Sequence, residues 1–196
     1  MLTRVRTLFE ESIQAKIAAA DALPEQIVKA AERLVECFVH DHKIIICGHG
    51  GSAANSLHFS SAMLHHFECE RPGLPVINLS SDSTVLSGFG QEGHFEQAYA
   101  RQIQALGQSG DWLMILCTAG QSMSLLNAVH AAHERGMDVL ALTGQDGGML
   151  ANHLGPEDIE LRVGGHSAAH VRDMHLFILH CFCDLIEHAL FGQMMG

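Results

Sequence analysis

Lys43–Ser52 reads Lys-Ile-Ile-Ile-Cys-Gly-His-Gly-Gly-Ser, and this stretch decides the fold. Its three isoleucines predict a buried β-strand, because β-branched side chains favour extended backbone. The glycines that follow end the strand, and Ser52 occupies the position of a helix N-cap. A strand that turns into a helix start presents unpaired N–H groups at the positive end of the helix dipole, which suits a phosphate. The stretch has neither a Walker A Lys-Ser/Thr pair nor dinucleotide-binding spacing, so a purely structural turn stays an open alternative.

Strands alternate with helices along the rest of the chain. Apolar runs predict further strands near residues 74–79, 112–117, 139–143 and 159–163, the last with the alternating polarity of a sheet edge. Helical periodicity lies between these runs, first in a helix expected from Ala53 to about Phe67, and also in a long closing helix over about 167–191. Such alternation predicts an α/β fold with one doubly wound, mostly parallel sheet flanked by helices.

Two helical patterns precede the first strand, one over residues 2–20 and one that starts at Pro24. We expect them to form an N-terminal helical arm, 1–41, on an α/β core that spans 42–196. The whole chain of 196 residues is expected to be a single domain. Such an arm packs against a sister subunit or lies as a lid on its own core.

Composition narrows the classes of function. A net charge of −11 and the lack of a Lys/Arg cluster argue against direct binding to nucleic acid. No apolar run approaches the length that crosses a bilayer, and the N-terminus lacks an apolar signal core, so no membrane partner and a cytoplasmic location are expected. The six cysteines form no CxxC pair and are interpreted as reduced thiols, mostly buried.

A second turn rich in glycine and hydroxyl groups, Thr118–Ser122, follows the central strand. Ligands of parallel sheets bind beyond the carboxyl ends of the strands, so both turns are expected to line one crevice. Their hydroxyl groups and backbone amides could hold one phosphate without a cation. The candidate phosphate-binding residues are Gly50, Gly51, Ser52, Thr118, Gly120 and Ser122.

Several motifs, in order along essentially the whole chain, resemble the sugar isomerase (SIS) domain family. They are the Cys-Gly-x-Gly-Gly-Ser turn at 47–52, His58-Phe59, the segment 70–75, Leu-Thr-Gly-x-Asp-Gly-Gly at 142–148 and the His-rich closing helix. The resemblance implies the SIS fold and a phosphosugar pocket. Two branches of that family are similar to this chain. One contains isomerases that convert sedoheptulose 7-phosphate to D-glycero-D-manno-heptose 7-phosphate, and the other contains non-enzymatic homotetramers that bind the replication initiator DnaA.

The resemblance also identifies departures from the isomerase chemistry. In the isomerases a histidine on the first core helix is followed one turn later by a glutamate, which is the catalytic base, and both can hold zinc. His58 matches the histidine, but Ala62 stands at the position of the base. On the closing helix His180 matches the acid and metal ligand, whereas Arg172 replaces a glutamine. The resemblance therefore implies no intact catalytic set and no metal, with zinc at His58 and His180 as the alternative.

The second phosphate turn departs from the family pattern as well. The family's Ser-Thr-Ser-Gly-Asn-Ser reads Cys-Thr-Ala-Gly-Gln-Ser over 117–122, which removes two hydroxyl donors. His49 replaces the asparagine that is usual in the first turn. Together with Ala62, these changes indicate a pocket that is retained but degraded.

We therefore expect a non-catalytic homotetramer that binds DnaA and promotes its assembly at the chromosomal origin. Leu190 and Phe191, at the end of the closing helix, are the candidate partner-binding residues; alternatively they pack on the domain's own core or in the tetramer. One competing hypothesis is phosphoheptose isomerase, with Glu68 or Glu96 as the base. Another is a pseudo-enzyme that senses a sugar phosphate through the same pocket.

Overall fold

Five strands form one sheet in the computed structural model, which describes residues 1–165 and 167–192. Along the chain they are β1 Ile44–Gly48, β2 Val76–Asn78, β3 Trp112–Leu116, β4 Asp138–Gly144 and β5 Ile159–Val163. Their order across the sheet is β2-β1-β3-β4-β5, and every neighbouring pair is parallel. The prediction of a parallel α/β sheet is confirmed, and β5 lies at an edge, as its alternating polarity indicates.

Helices cover both faces of this sheet. In chain order they are α1 Leu2–Ala22, α2 Pro24–Val39, α3 Gly51–Leu64, α4 Ser83–Gln91, a 3-10 turn Phe95–Gln97, α5 Ala98–Leu106, α6 Met123–Glu134, α7 Gly148–Ala151 and α8 Ala168–Phe191. The side chains of β1 alternate between the two apolar layers, as the strand period of two requires. Ile44 and Ile46 belong to the layer that contains α2, α3 and α8, whereas Ile45 and Cys47 belong to the layer of α5 and α6.

The turn after β1 differs from its predicted geometry. The prediction that Ser52 is the N-cap is wrong, because α3 begins at Gly51 and the N-cap is Gly50. Gly50 has a φ of 55°, a left-handed value that glycine adopts without steric cost, so the chain enters the helix earlier than the hydroxyl pattern indicates. Ser52 is then the second residue of the helix.

The other end of α3 is set by a distant side chain. The helix ends at Leu64, three residues before the predicted end near Phe67. Arg71 donates hydrogen bonds of 2.8 Å to the carbonyl oxygens of both Ala62 and Met63. These donors satisfy carbonyls that the helix itself leaves unpaired, so the chain can turn away there.

An apolar face of α1 points away from the chain's own core. The helix has no buried residue. Its large exposed apolar residues are Leu2, Val5, Leu8, Phe9, Ile13 and Ile17. Such a face is left without a partner within one copy of the chain.

By length and composition, α8 could cross a membrane, which corrects the expectation that no segment of this chain could do so. It has 24 residues, and its most apolar window has a mean hydropathy of 1.4. Its buried side chains, among them Ile178, Phe182 and Ile186, pack into the layer against the sheet. A helix in the core of a globular domain passes the same test, so this criterion is weak support for a membrane span.

Candidate functional site

A cavity of about 280 Å³ lies at the carboxyl ends of β1 and β3. Ser52 of the first turn and Thr118 and Ser122 of the second line it together, so the structure places both turns on one crevice. The remaining lining residues are His49, Leu116, Cys117, Ala119, Gln121 and Leu125. Phosphate binding by these residues is still a prediction.

Ser52 has the geometry of a hydroxyl donor held ready for a ligand. The residue is only 4% exposed and lines the cavity, and its hydroxyl has no hydrogen-bond partner among residues 1–165 and 167–192. The oxygen of this hydroxyl is accessible from the cavity, so it can bond to water or to an acceptor of a ligand. Its place in the first turn of α3 adds the positive end of the helix dipole.

The predicted glycines shape the crevice rather than line its wall. Gly50 supplies the left-handed turn, and Gly51 lies under the side chain of Arg172, whose Cδ would be 2.5 Å from a Cβ built at Gly51. Gly120 has a φ of 64°, and a Cβ there would collide with the carbonyl oxygen of Gly147. Gly120 is therefore required by close backbone packing of the second turn against the loop before α7.

His49 stands at the centre of a hydrogen-bonded chain. Its Nε2 lies 2.6 Å from the Ser124 Oγ, which in turn lies 2.9 Å from the Ser122 Oγ. Its Nδ1 lies 3.3 Å from the hydroxyl of Tyr99, which donates a 2.7 Å hydrogen bond to the carbonyl of Gly48. Burial lowers the pKa of His49 from its ordinary value, so the ring is neutral near pH 7.

The histidines of the isomerase pattern, His58 and His180, meet at the surface. Their Nε2 atoms are 3.0 Å apart, and the ring of Phe67 stacks on His180 at a centroid distance of 5.6 Å. Burial and then the charge of His58 lower the pKa of His180. Within the described part of the chain, no group of three His, Cys, Asp or Glu side chains could hold a metal ion. Two imidazoles supply fewer than the three or four protein ligands of a typical zinc site, so zinc bound here would need further ligands.

The position of the isomerase base is occupied by a methyl group in the core. Ala62 is 8% exposed and packs with the apolar layer of α3 and α8. Arg172 lies across the start of α3, and its guanidinium makes no ion pair within residues 1–165 and 167–192. A free cation beside the predicted phosphate turn favours an anion there.

One acidic residue borders the crevice. Glu96 is half-buried and lines a cavity of about 320 Å³ that shares His49 and Ser122 with the first cavity. Glu68, the other candidate base, is exposed and borders neither cavity. Sequence reasoning missed the part that Tyr99 plays, because its contact with Gly48 joins residues 51 positions apart and leaves no local signal.

Leu190 and Phe191 are half-buried and pack against the apolar layer of the chain's own core. The Arg71 guanidinium lies 5.8 Å from the centre of the Phe191 ring. Arg71 also pairs with Glu187, whose carboxylate accepts hydrogen bonds from three backbone N–H groups. Burial alone would raise the pKa of Glu187, but these N–H donors and Arg71 together lower it. Leu190 and Phe191 therefore pack next to this buried ion pair, and only part of their apolar surface is exposed.

Comparison with known proteins places this geometry in a family. The family model described as "SIS domain" matches residues 8–144. The chain is 47% identical over 191 residues to the DnaA initiator-associating protein DiaA of Enterobacter sp. (strain 638), with 97% of each chain covered. A phosphoheptose isomerase from Francisella tularensis has a TM-score of 0.92 and 43% identity, and covers 95% of this chain and 98% of its own. The isomerase GmhA of Neisseria gonorrhoeae has a TM-score of 0.90 and 39% identity, with the same coverage. The chain belongs to the SIS domain family.

Proposed function

We propose that this chain is a non-catalytic DnaA-associating protein that promotes the assembly of DnaA at the chromosomal origin and retains a phosphosugar pocket. The observation that carries the proposal is Ala62, a buried methyl group at the position of the isomerase base. A methyl group can neither accept a proton nor bind a metal, and the loss of a general base costs about 10²–10⁴ in rate. The similarity to DiaA supplies the partner.

The overall charge supports a protein partner. The chain carries a net charge of −11, which suits a basic surface and repels the phosphates of DNA. The origin would then be reached through DnaA rather than by direct contact with nucleic acid.

Self-assembly into a homotetramer completes the proposal. The exposed face of α1 adjoins a groove of about 470 Å³ between α1, α2 and α8, whose lining is almost wholly apolar. Ile27 and Phe177 are among the residues that line it. A second copy of the chain supplies a matching apolar helix, so a symmetric contact would bury both faces. Several identical faces on one assembly would raise the effective concentration of bound DnaA.

The proposed DnaA-binding face contains Leu190 and Phe191. We expect Leu190→Ala and Phe191→Ala to weaken capture of purified DnaA by about tenfold or more, because truncation of an apolar anchor typically costs about 2 kcal/mol. Surface plasmon resonance with immobilised DnaA measures the loss. Leu106→Ala, which truncates an exposed leucine at the end of α5, is the control and should bind normally. Equal affinity of all these variants would refute this face.

The absence of catalysis is tested with sedoheptulose 7-phosphate. Wild type should not isomerise it, whereas Ala62→Glu restores the missing carboxylate and should gain measurable turnover if the rest of the pocket is adequate. A melting curve shows whether the new carboxylate, placed at a site that is 8% exposed, is tolerated by the fold. Turnover by wild type at the rate of an isomerase would sink the non-catalytic proposal.

Phosphoheptose isomerase is the second candidate function, favoured by the position of Glu96 beside the crevice and by the two isomerase neighbours. If this function is correct, wild type is active and Glu96→Gln abolishes turnover. Glu68→Gln, which changes an exposed carboxylate away from both cavities, should leave it unchanged. Comparison of the two variants thus shows whether Glu96 acts as the catalytic base or whether any loss of a surface carboxylate has the same effect on turnover.

A further inference from the structure

The hydrogen bonds around His49 have a direction. Tyr99 has one hydroxyl proton, and its shortest contact, 2.7 Å, is to the Gly48 carbonyl, which can only accept. The tyrosine oxygen is then an acceptor toward the His49 Nδ1 at 3.3 Å. A neutral His49 therefore carries its proton on Nδ1 and accepts at Nε2.

The rest of the chain follows from this tautomer. The Nε2 lone pair accepts a hydrogen bond from the Ser124 hydroxyl, 2.6 Å away. The Ser124 oxygen in turn accepts a hydrogen bond from the Ser122 hydroxyl, 2.9 Å away. Ser122 then turns only lone pairs toward the cavity that it lines, and these repel an anion.

Protonation of His49 at Nε2 reverses the direction of the hydrogen bonds from His49 to Ser124 and from Ser124 to Ser122. An imidazolium donates from both nitrogens, so Ser124 accepts a hydrogen bond from Nε2 and donates one to Ser122. The Ser122 hydroxyl can then donate toward the cavity, where Ser52 offers a hydroxyl that has no partner in the described part of the chain. The tyrosine end of the chain stays as it was, because Nδ1–H donates to Tyr99 in both states.

We propose that His49 is a positioning residue that takes up a proton when a phosphate enters the cavity and so turns Ser122 into a donor. The pocket then binds a phosphate monoester dianion together with one proton. This inference rests on the phosphosugar pocket of the proposed function and adds the chemical state in which that pocket binds.

Several titratable groups surround His49. From the segment before α5, Glu96 lines the adjoining cavity with His49, and its carboxylate lies 3.6 Å from the His94 ring with 43% of the side chain exposed. Burial raises the pKa of Tyr99 to about 12, so that hydroxyl stays neutral. From the end of β3, the thiol of Cys117 lines the cavity. From α8, the Arg172 side chain lies on Gly51 of the same turn. From β1 itself, Cys47 is buried, and that burial raises the pKa of its thiol. The segment that leads into α6 contributes only the hydroxyls of Ser122 and Ser124.

Titration calorimetry with sedoheptulose 7-phosphate tests the proposal at pH 7.0 and 8.0, in two buffers of different ionisation enthalpy. Wild type should take up close to one proton per ligand, and by linkage its affinity should fall by up to about tenfold per pH unit between the pKa of His49 in the free protein and its pKa in the complex. His49→Asn and Ser124→Ala interrupt the chain and should bind without proton uptake and without this pH dependence. His65→Asn, at the exposed end of α3, should behave as wild type.

The tautomer of His49 can be measured directly in the protein without ligand. Long-range nitrogen–proton NMR should show neutral His49 with its proton on Nδ1, and a proton on Nε2 instead would overturn the direction of the chain. Wild-type binding with no proton uptake would overturn the inference and leave the phosphosugar pocket intact. Failure of wild type to bind the sugar phosphate at either pH would overturn the inference and the pocket together.

Discussion

At the scale of single residues, the proposed function combines a retained binding pocket with the loss of a catalytic base. Ser52, buried and without a hydrogen-bond partner in the described part of the chain, is suited to donate to an anion. Ala62, which is buried, stands at the position that the family resemblance assigns to the isomerase base, whereas Arg172 brings a cation to the start of α3. The glycine-rich turn identified Ser52, and the family resemblance identified Ala62 and Arg172. The burial of Ser52 and the course of Arg172 across Gly51 depend on the packing of α3 against α8, which no local pattern encodes.

Arg172→Gln, which restores the glutamine of the isomerase pattern, should weaken the binding of sedoheptulose 7-phosphate by about tenfold. Loss of a charged hydrogen bond to an anion costs about 1.5–3 kcal/mol, and the screened, half-buried position of Arg172 favours the lower end. Calorimetry at one pH and ionic strength measures the change. Arg101→Gln, on the exposed face of α5, removes the same charge and should have no effect. Equal losses in both variants would show that only net charge matters.

At the scale of elements, the junction of α3 and α8 is held by one buried ion pair. Arg71 and Glu187 are both at most 2% exposed in their side chains and are 2.9 Å apart. Arg71 joins the end of α3 to α8, and Glu187 gathers the N–H groups of the loop that follows α3. The early end of α3 is thus decided by residues far along the chain. Helical periodicity, which is a local signal, therefore predicts an end three residues too late.

Glu187→Gln should destabilise the fold by about 3 kcal/mol, because it leaves Arg71 buried without its counter-charge. Chemical denaturation followed by circular dichroism measures the change. Glu36→Gln breaks an exposed pair with Arg33 and should cost less than about 1 kcal/mol. Costs of the same size in both variants would contradict the role given to the buried pair.

The same pair should make stability depend on acid pH. The folded-state pKa of Glu187 lies below its ordinary value, so its contribution is complete above that ordinary value. As the pH falls below it, the unfolded chain takes up a proton that the folded chain does not, and stability is lost down to the folded-state pKa. Wild type should therefore lose more stability than Glu187→Gln between about pH 5 and pH 3. If the unfolding free energies of the two proteins fall equally with pH, Glu187 is not the source of the acid dependence.

At the scale of the whole molecule, α1 is the element that a single copy of the chain leaves incomplete. It has no buried residue, and its apolar face is turned to solvent beside the groove that it forms with α2 and α8. Exposed apolar surface of this extent is typical of an interface between subunits. Phe9 is 67% exposed and Ile13 is 52% exposed, so both can be changed without opening the core.

Phe9→Asp combined with Ile13→Asp should convert the proposed homotetramer into smaller species, because each places a charge in the apolar contact. Size-exclusion chromatography with light scattering measures the mass, and circular dichroism verifies the fold. Gln14→Asp, on the exposed polar side of the same helix, should keep the mass of wild type. An unchanged mass in the double variant would refute this interface.

The amino-acid sequence by itself determined the alternation of strands and helices, the parallel sheet and the two glycine-rich turns. These features are local: β-branched runs, helical periodicity and turn glycines act through the backbone around them. Only the tertiary structure decided how the two turns meet in one cavity, that Glu96 lies beside it, and that Tyr99 and Ser124 connect to His49. Those contacts join residues tens of positions apart, and their geometry exists only once both layers have packed on the sheet.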